Sequence, residues 1–187
     1  MNFLKFYILI LCTLFFFSYS NVMAYEEVNY EVVSSNEVYE IRKYSNRLAV
    51  ETITINQNNS FRKLFKYISG SNKTNKKIKM TTPVTQIERE GKMTMQFYLP
   101  SKYNKEDVPN PSKSDVKIVN IEGGYYAVIR YSGRASDKNF FKHKDILEKE
   151  LLKNNVLVLS QPIKATYNGP FTLPMFRRNE AMFKVKF

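Results

Sequence analysis

The sequence predicts an α+β fold: two ββαββ halves forming one antiparallel sheet or distorted β-barrel, flanked by two helices. Three observations predict it. Two segments carry apolar residues at helical spacing, one ending near Gly70 and a longer one starting near Ser136. Short runs of apolar and polar residues in alternation stand in pairs before and after each. Pro83 and Pro170 occupy comparable places after the two helical segments. The halves share element order rather than letters, and one helix from each covers the sheet.

Residues 1–24 read as a signal peptide rather than as part of the fold. Lys5 gives a short positive start, and Phe6 to Phe17 is an apolar run broken only by Thr13. Val22-Met23-Ala24 places small residues at −3 and −1 of a cut after Ala24. The run falls short of the roughly 20 residues that span a bilayer, and an uncleaved anchor is the alternative. Leu11 ahead of Cys12 is too large for a lipoprotein cleavage site. Export to a periplasmic, extracellular or secretory space is expected. Residues 25–187 then form one domain of about 160 residues, long enough for a real core.

In the first half, Glu37 to Tyr44 reads as a strand, Ser45-Asn46 as a two-residue turn, and Leu48 to Ile55 as its hairpin partner. Asn58, Asn59 and Ser60 offer N-caps. Phe61, Leu64, Phe65 and Ile68 follow at i, i+3, i+4 and i+7, a stripe expected to face the sheet. Gly70 suits the position after the helix. A basic loop leads to Pro83, which starts a strand over Val84 to Glu88. Glu90-Gly91 turns that strand into Met93 to Leu99. The loop Pro100 to Asp115 holds three prolines and is the best internal boundary.

The second half repeats the order. Val116 to Ile121 and Tyr125 to Tyr131 are strands joined at Gly123-Gly124, read as a hairpin turn. Ser136 caps a helix running to about Asn154, with Phe140, Leu147 and Leu151 as its stripe and Lys144 interrupting it. Ile163 to Tyr167 and Ala181 to Phe187 are the closing strands. Between them, Asn168 to Pro174 is a shaped surface loop, because its prolines fix φ and lack donors. Arg177-Arg178 beside Glu180 reads as an ion pair pinning that loop; anion recognition is the other reading.

The ordinary catalytic sets are missing. One histidine, His143, allows no multi-His metal cluster. Beyond residue 24 no cysteine remains for disulfides, thiolate chemistry or covalent haem. No Gly-rich phosphate loop and no nucleophile elbow is present. Glu31, Glu40, Glu51 and Glu180 are explained mostly as solvated faces. His143 flanks the apolar stripe of the second helix, which suits a half-buried structural histidine. The sharper alternative is an axial ligand to a haem iron. The 14 Phe and 13 Tyr are mostly core, and a few at a groove rim would suit a flat apolar ligand. The formal charge of +12 favours anionic partners, an anionic membrane surface or acidic small molecules among them. No specific nucleic-acid partner is expected, and scattered lysines make a solvated basic surface the plainer reading.

Four segments taken together resemble the SOUL haem-binding-protein family: SFRKLFKYISG (60–70), KIKMTTPVT (77–85), YYAVIRYSGRAS (125–136) and YNGPFTLPMFRRNEAMFKV (167–185). The resemblance spans about residues 28–187. It implies a distorted barrel with two helices and a haem or other tetrapyrrole in a shallow hydrophobic groove beside one helix. Relatives among effector-binding domains of bacterial regulators imply another hydrophobic small molecule as the alternative; an enzyme on the same pocket is the third. The resemblance carries binding roles onto Lys66 and Tyr67. Phe65 stands where some relatives have methionine. Arg177 and Arg178 match an RRNE motif whose role is mainly structural, and His143 aligns with no family ligand.

Overall fold

The computed structural model describes residues 25–55 and 59–187. The expected cut after Ala24, the apolar run before it and Asn58 therefore lie outside the described residues. An antiparallel sheet of ten strands curls into a half-barrel, with two helices packed on it.

A bent ribbon, not two hairpins, links the two ends of the sheet. Its strands are β3 (Glu40–Tyr44), β4 (Arg47–Thr54), β8 (Lys117–Ile121) and β9 (Gly124–Tyr131). β3 pairs with β9, Tyr44 opposite Gly124, and β4 with β8, Arg47 opposite Ile121. The same register runs on both sides of the break, so the two chain segments cross the bend together. This corrects the hairpins expected at Ser45-Asn46 and Gly123-Gly124. The residues were read correctly as places where the chain changes direction, but a tight turn and a corner demand the same chemistry. Asn46 Oδ1 accepts a hydrogen bond from the Gly123 amide at 2.7 Å. A Cβ at Gly123 would stand 2.4 Å from the Tyr44 carbonyl oxygen, so only glycine lets the two corners touch.

Each half is then a β-α-β-β unit whose first strand lies beside its last. In the first, β4 pairs with β7 (Lys92–Tyr98), which pairs with β6 (Val84–Arg89). In the second, β9 pairs with β12 (Asn179–Lys186), which pairs with β11 (Ile163–Thr166). β6 joins β11 and closes the two units into one sheet, Ile87 opposite Ile163. The leading strand of each half is exchanged, β3 into the second unit and β8 into the first. The β6–β7 turn is the hairpin expected: Glu90 and Gly91 both take positive φ, as the mirror-image turn requires. The edges are short. β2 (Glu31–Ser35) extends β3, β10 (Leu157–Val158) pairs with β12, and β1 (Glu26–Glu27) lies parallel to β5 (Thr81–Thr82).

Helix α1 (Ser60–Ile68) packs on β4 and β7. It buries Ser60, Leu64, Tyr67 and Ile68, while Phe61 and Phe65 are 46% and 49% exposed. The expected stripe was thus rotated, and Phe65 does not face the sheet. Two hydrogen bonds explain the rotation. Tyr67 donates its hydroxyl to the Pro109 carbonyl at 2.7 Å, drawing the ring inward, and Ser60 Oγ lies 2.7 Å from Thr54 Oγ1. Asn59 occupies the N-cap position without a capping bond; its Oδ1 accepts from Arg62 instead. Gly70, at φ +111°, ends the helix as expected. Helix α2 (Asp137–Lys153) follows its sequence reading closely: Ser136 Oγ accepts from the Asn139 amide, and Phe140, Leu147 and Leu151 are buried. Lys144 in the middle of that stripe turns outward to Asp145 and Glu148.

Candidate functional site

One buried carboxylate holds the scaffold together. Glu180, on β12, has no exposed surface: the ion pair expected beside Arg177-Arg178 forms with Arg178, buried rather than on a solvated face. It accepts from Arg42 Nη1 at 3.1 Å, Arg178 Nε at 2.9 Å and the Tyr167 hydroxyl at 2.7 Å. Arg178 also reaches Glu27 at 2.8 Å and lies over the Tyr167 ring at 3.8 Å. Arg42 also pairs with Glu40 at 2.7 Å. Burial, and then the Glu180 charge, push the Tyr167 hydroxyl pKa far above its ordinary value. Arg177 holds the preceding loop through the carbonyls of Thr172 (2.7 Å) and Pro170 (2.6 Å). Both arginines of the pair thus brace β12, β3, the loop and the N-terminal strand.

The candidate binding surface is the outer face of α1. Phe61 and Phe65 are four apart on the helix, so their side chains meet on one face. Their rings stack 6.0 Å apart at 13°, and the edge of the Phe61–Phe97 contact at 5.1 Å anchors the pair to the core. Further round the helix, a shallow cavity of about 290 Å³ is lined by Arg62, Lys63, Lys66, Tyr67 and Lys113, and not by the two Phe rings. Lys63 pairs with Asp115 at 2.7 Å and thereby holds that carboxyl below its usual range. Among the described residues, Lys66 and Lys113 have no carboxylate within ion-pair distance. The outer surface of α1 thus carries an exposed aromatic pair on one side and a cationic cavity on another, with Arg62 and Lys66 interleaved in sequence between the two.

The six residues singled out in the sequence do not form one site. Phe65 and Lys66 lie on the exposed side of α1. Tyr67 lies beneath them, buried, its hydroxyl pushed up to about 12 by burial. Arg177 and Arg178 belong to the brace. His143 stands on α2, in the other half, where its Nδ1 donates to the Asn139 carbonyl at 2.8 Å and its ring stacks on Tyr131 at 4.0 Å. Among the described residues, no three His, Cys, Asp or Glu side chains gather as metal ligands. Phe61, Lys63 and Lys113 were not read as site residues. The signal for the first was present as an aromatic i, i+4 pair interleaved with Arg62 and Lys66.

A family model described as SOUL heme-binding protein matches residues 25–184. Heme-binding protein 2 of Mus musculus is 31% identical, over 76% of this chain and 75% of its own length. The Homo sapiens protein of the same name matches equally, at 31% identity. Among solved structures, the EcmrR C-terminal domain aligns with a TM-score of 0.60 at 12% identity, covering 84% of this chain and 98% of that one. A hydrolase from Listeria innocua aligns with a TM-score of 0.58 at 8% identity, covering 82% and 94%. At such identities the structural likenesses speak for the fold alone.

Proposed function

This chain belongs to the SOUL heme-binding protein family, and on that premise we propose that it binds haem or a related tetrapyrrole, non-covalently and without catalysis, on the outer face of α1. The observation that carries the reading is the stacked, half-exposed Phe61–Phe65 pair beside unpaired Lys66. A tetrapyrrole is flat and apolar on both faces and carries carboxylates at its edge. Covering the two rings supplies apolar burial at about 25 cal/mol per Å². Arg62, Lys66 and Lys113 meet the carboxylates, each exposed pair contributing about 0–1 kcal/mol. Bound haem would supply redox and ligand-binding chemistry at its iron; the chain's residues supply shelf and rim. His143 is given a structural role away from α1, its Nδ1 donating to the Asn139 carbonyl within α2 and its ring stacked on Tyr131 of β9.

The test is an absorbance titration of the purified protein with haemin, beside metal-free protoporphyrin and a neutral apolar dye. Saturable binding of both tetrapyrroles is expected. If only the dye binds, the protein is a module for another hydrophobic small molecule; if nothing binds, the α1 shelf is not a ligand site.

A further inference from the structure

The face of β4 and β7 turned away from α1 holds a second arrangement. Arg47 opens β4 at the bend of the ribbon. Its guanidinium lies over the rings of Tyr44 (4.3 Å), Tyr98 (4.6 Å) and Tyr126 (5.6 Å). Its Nη2 reaches the Tyr98 hydroxyl at 3.4 Å. Nε and Nη1 are buried and make no hydrogen bond. Among the described residues Arg47 pairs with no carboxylate. A ring face offsets part of the charge but leaves the in-plane N–H donors open, and a buried unmade donor is costly.

Arg47 lines a cavity of about 320 Å³. The floor is apolar: Ile87, Val119, Ile163 and Met182. Two carboxylates also line it, and each is engaged by another lining residue. Glu51 accepts from Gln96 at 3.0 Å, and Glu122 faces Lys184 at 3.4 Å. Arg89 and Lys184 line it too, so the space is mixed, with Tyr98 and Tyr126 on its wall, and Arg47 is the cation there with buried donors left unmade. With Arg47, Arg89 and Lys184 against two carboxylates, the lining is net cationic and favours an anionic group.

We propose that this cavity is a second binding site, for a small apolar or aromatic carboxylate whose carboxyl group pairs with Arg47. The tyrosines fix the guanidinium, and the ligand completes its hydrogen bonds. The site uses the other face of β4 and β7 from α1, since Arg47, Glu51, Gln96 and Tyr98 alternate with Val50 and Phe97, which pack under the helix, and it does not depend on haem binding.

The experiment is calorimetric titration of the full chain with benzoate, naphthalene-2-carboxylate and octanoate, each beside its neutral amide. At least one carboxylate is expected to bind at least tenfold tighter than its amide, and saturating haemin should leave that isotherm unchanged. Arg47→Met should abolish the preference for the charged form, while its thermal midpoint without ligand stays level or rises, because the orphaned donors are gone. Should Arg47→Met fail to fold, the carboxylate–amide ratio on the unaltered chain still decides. Equal affinity for acid and amide, no binding of any pair, retention of the preference in Arg47→Met, or displacement by haemin would each overturn the proposal.

Discussion

Replacing Glu180 by Gln tests whether the buried carboxylate holds the two arginines in place. The side chain keeps its size but loses its charge, and its amide turns two donors toward arginines that also donate. Removing one partner of a buried ion pair costs about 3–5 kcal/mol, because the remaining charge is left uncompensated. Here each arginine keeps a second carboxylate, Arg42 with Glu40 at 2.7 Å and Arg178 with Glu27 at 2.8 Å. Those two carboxylates are 40% and 39% exposed and offset only part of the loss. The lower end, about 3 kcal/mol, is therefore expected. For a domain of this size that is a fall in Tm of about 6–12 °C. Differential scanning calorimetry at neutral pH measures it. A Tm unchanged within error would refute the reasoning, since the network would then contribute nothing to folding.

Three further outcomes follow from the same structure. Leu64→Ala, at a fully buried site, should cost about 2–5 kcal/mol. Phe65→Asp, at a half-exposed one, should remain folded with a small change in denaturant midpoint; its unfolding would return Phe65 to the core. Burial raises the hydroxyls of Tyr44, Tyr67, Tyr126, Tyr131 and Tyr167, Tyr67 to about 12. A raised folded-state pKa gives stability that is intact below the unfolded value of about 10 and lost as pH rises above it. Tyrosinate absorbance and far-UV circular dichroism should therefore change together on the alkaline side of pH 10; complete tyrosine titration with the fold intact would contradict this. We propose that the exported protein begins at Tyr25, which N-terminal sequencing checks; a cytosolic full-length product would remove it.

The sequence carried the element order and most boundaries, because helix stripes and strand alternation are local properties. The β6–β7 hairpin and the Ser136 cap were legible for that reason. Pairing was not local. Nothing within Tyr44 to Arg47 says that β3 leaves for β9 while β4 turns to β8, and Gly123 shows its reason only once the Tyr44 carbonyl lies against it. The rotation of α1 was hidden likewise. Phe61 and Phe65 have helical core spacing, but Tyr67 took the inner position by way of the Pro109 carbonyl, a partner 42 residues on. That rotation placed two aromatic rings on the outside and created the candidate shelf. The ion pair of Glu180 with Arg178 is local and legible, but its burial is not, because its other donors come from Arg42 on β3 and Tyr167 just past β11.

The α1 shelf is tested most directly by haemin titration of the protein carrying both Phe61→Ala and Phe65→Ala. If haem covers roughly 100 Å² of the two rings, at about 25 cal/mol per Å² the loss is about 2.5 kcal/mol, more than tenfold in Kd. Lys66→Ala in parallel should weaken binding less than tenfold and reduce its salt dependence. His143→Ala should leave both affinity and the Soret band as they were. Unchanged haemin affinity in the folded double variant, or loss of the shifted Soret band in His143→Ala, would place the tetrapyrrole elsewhere on the protein and contradict the account.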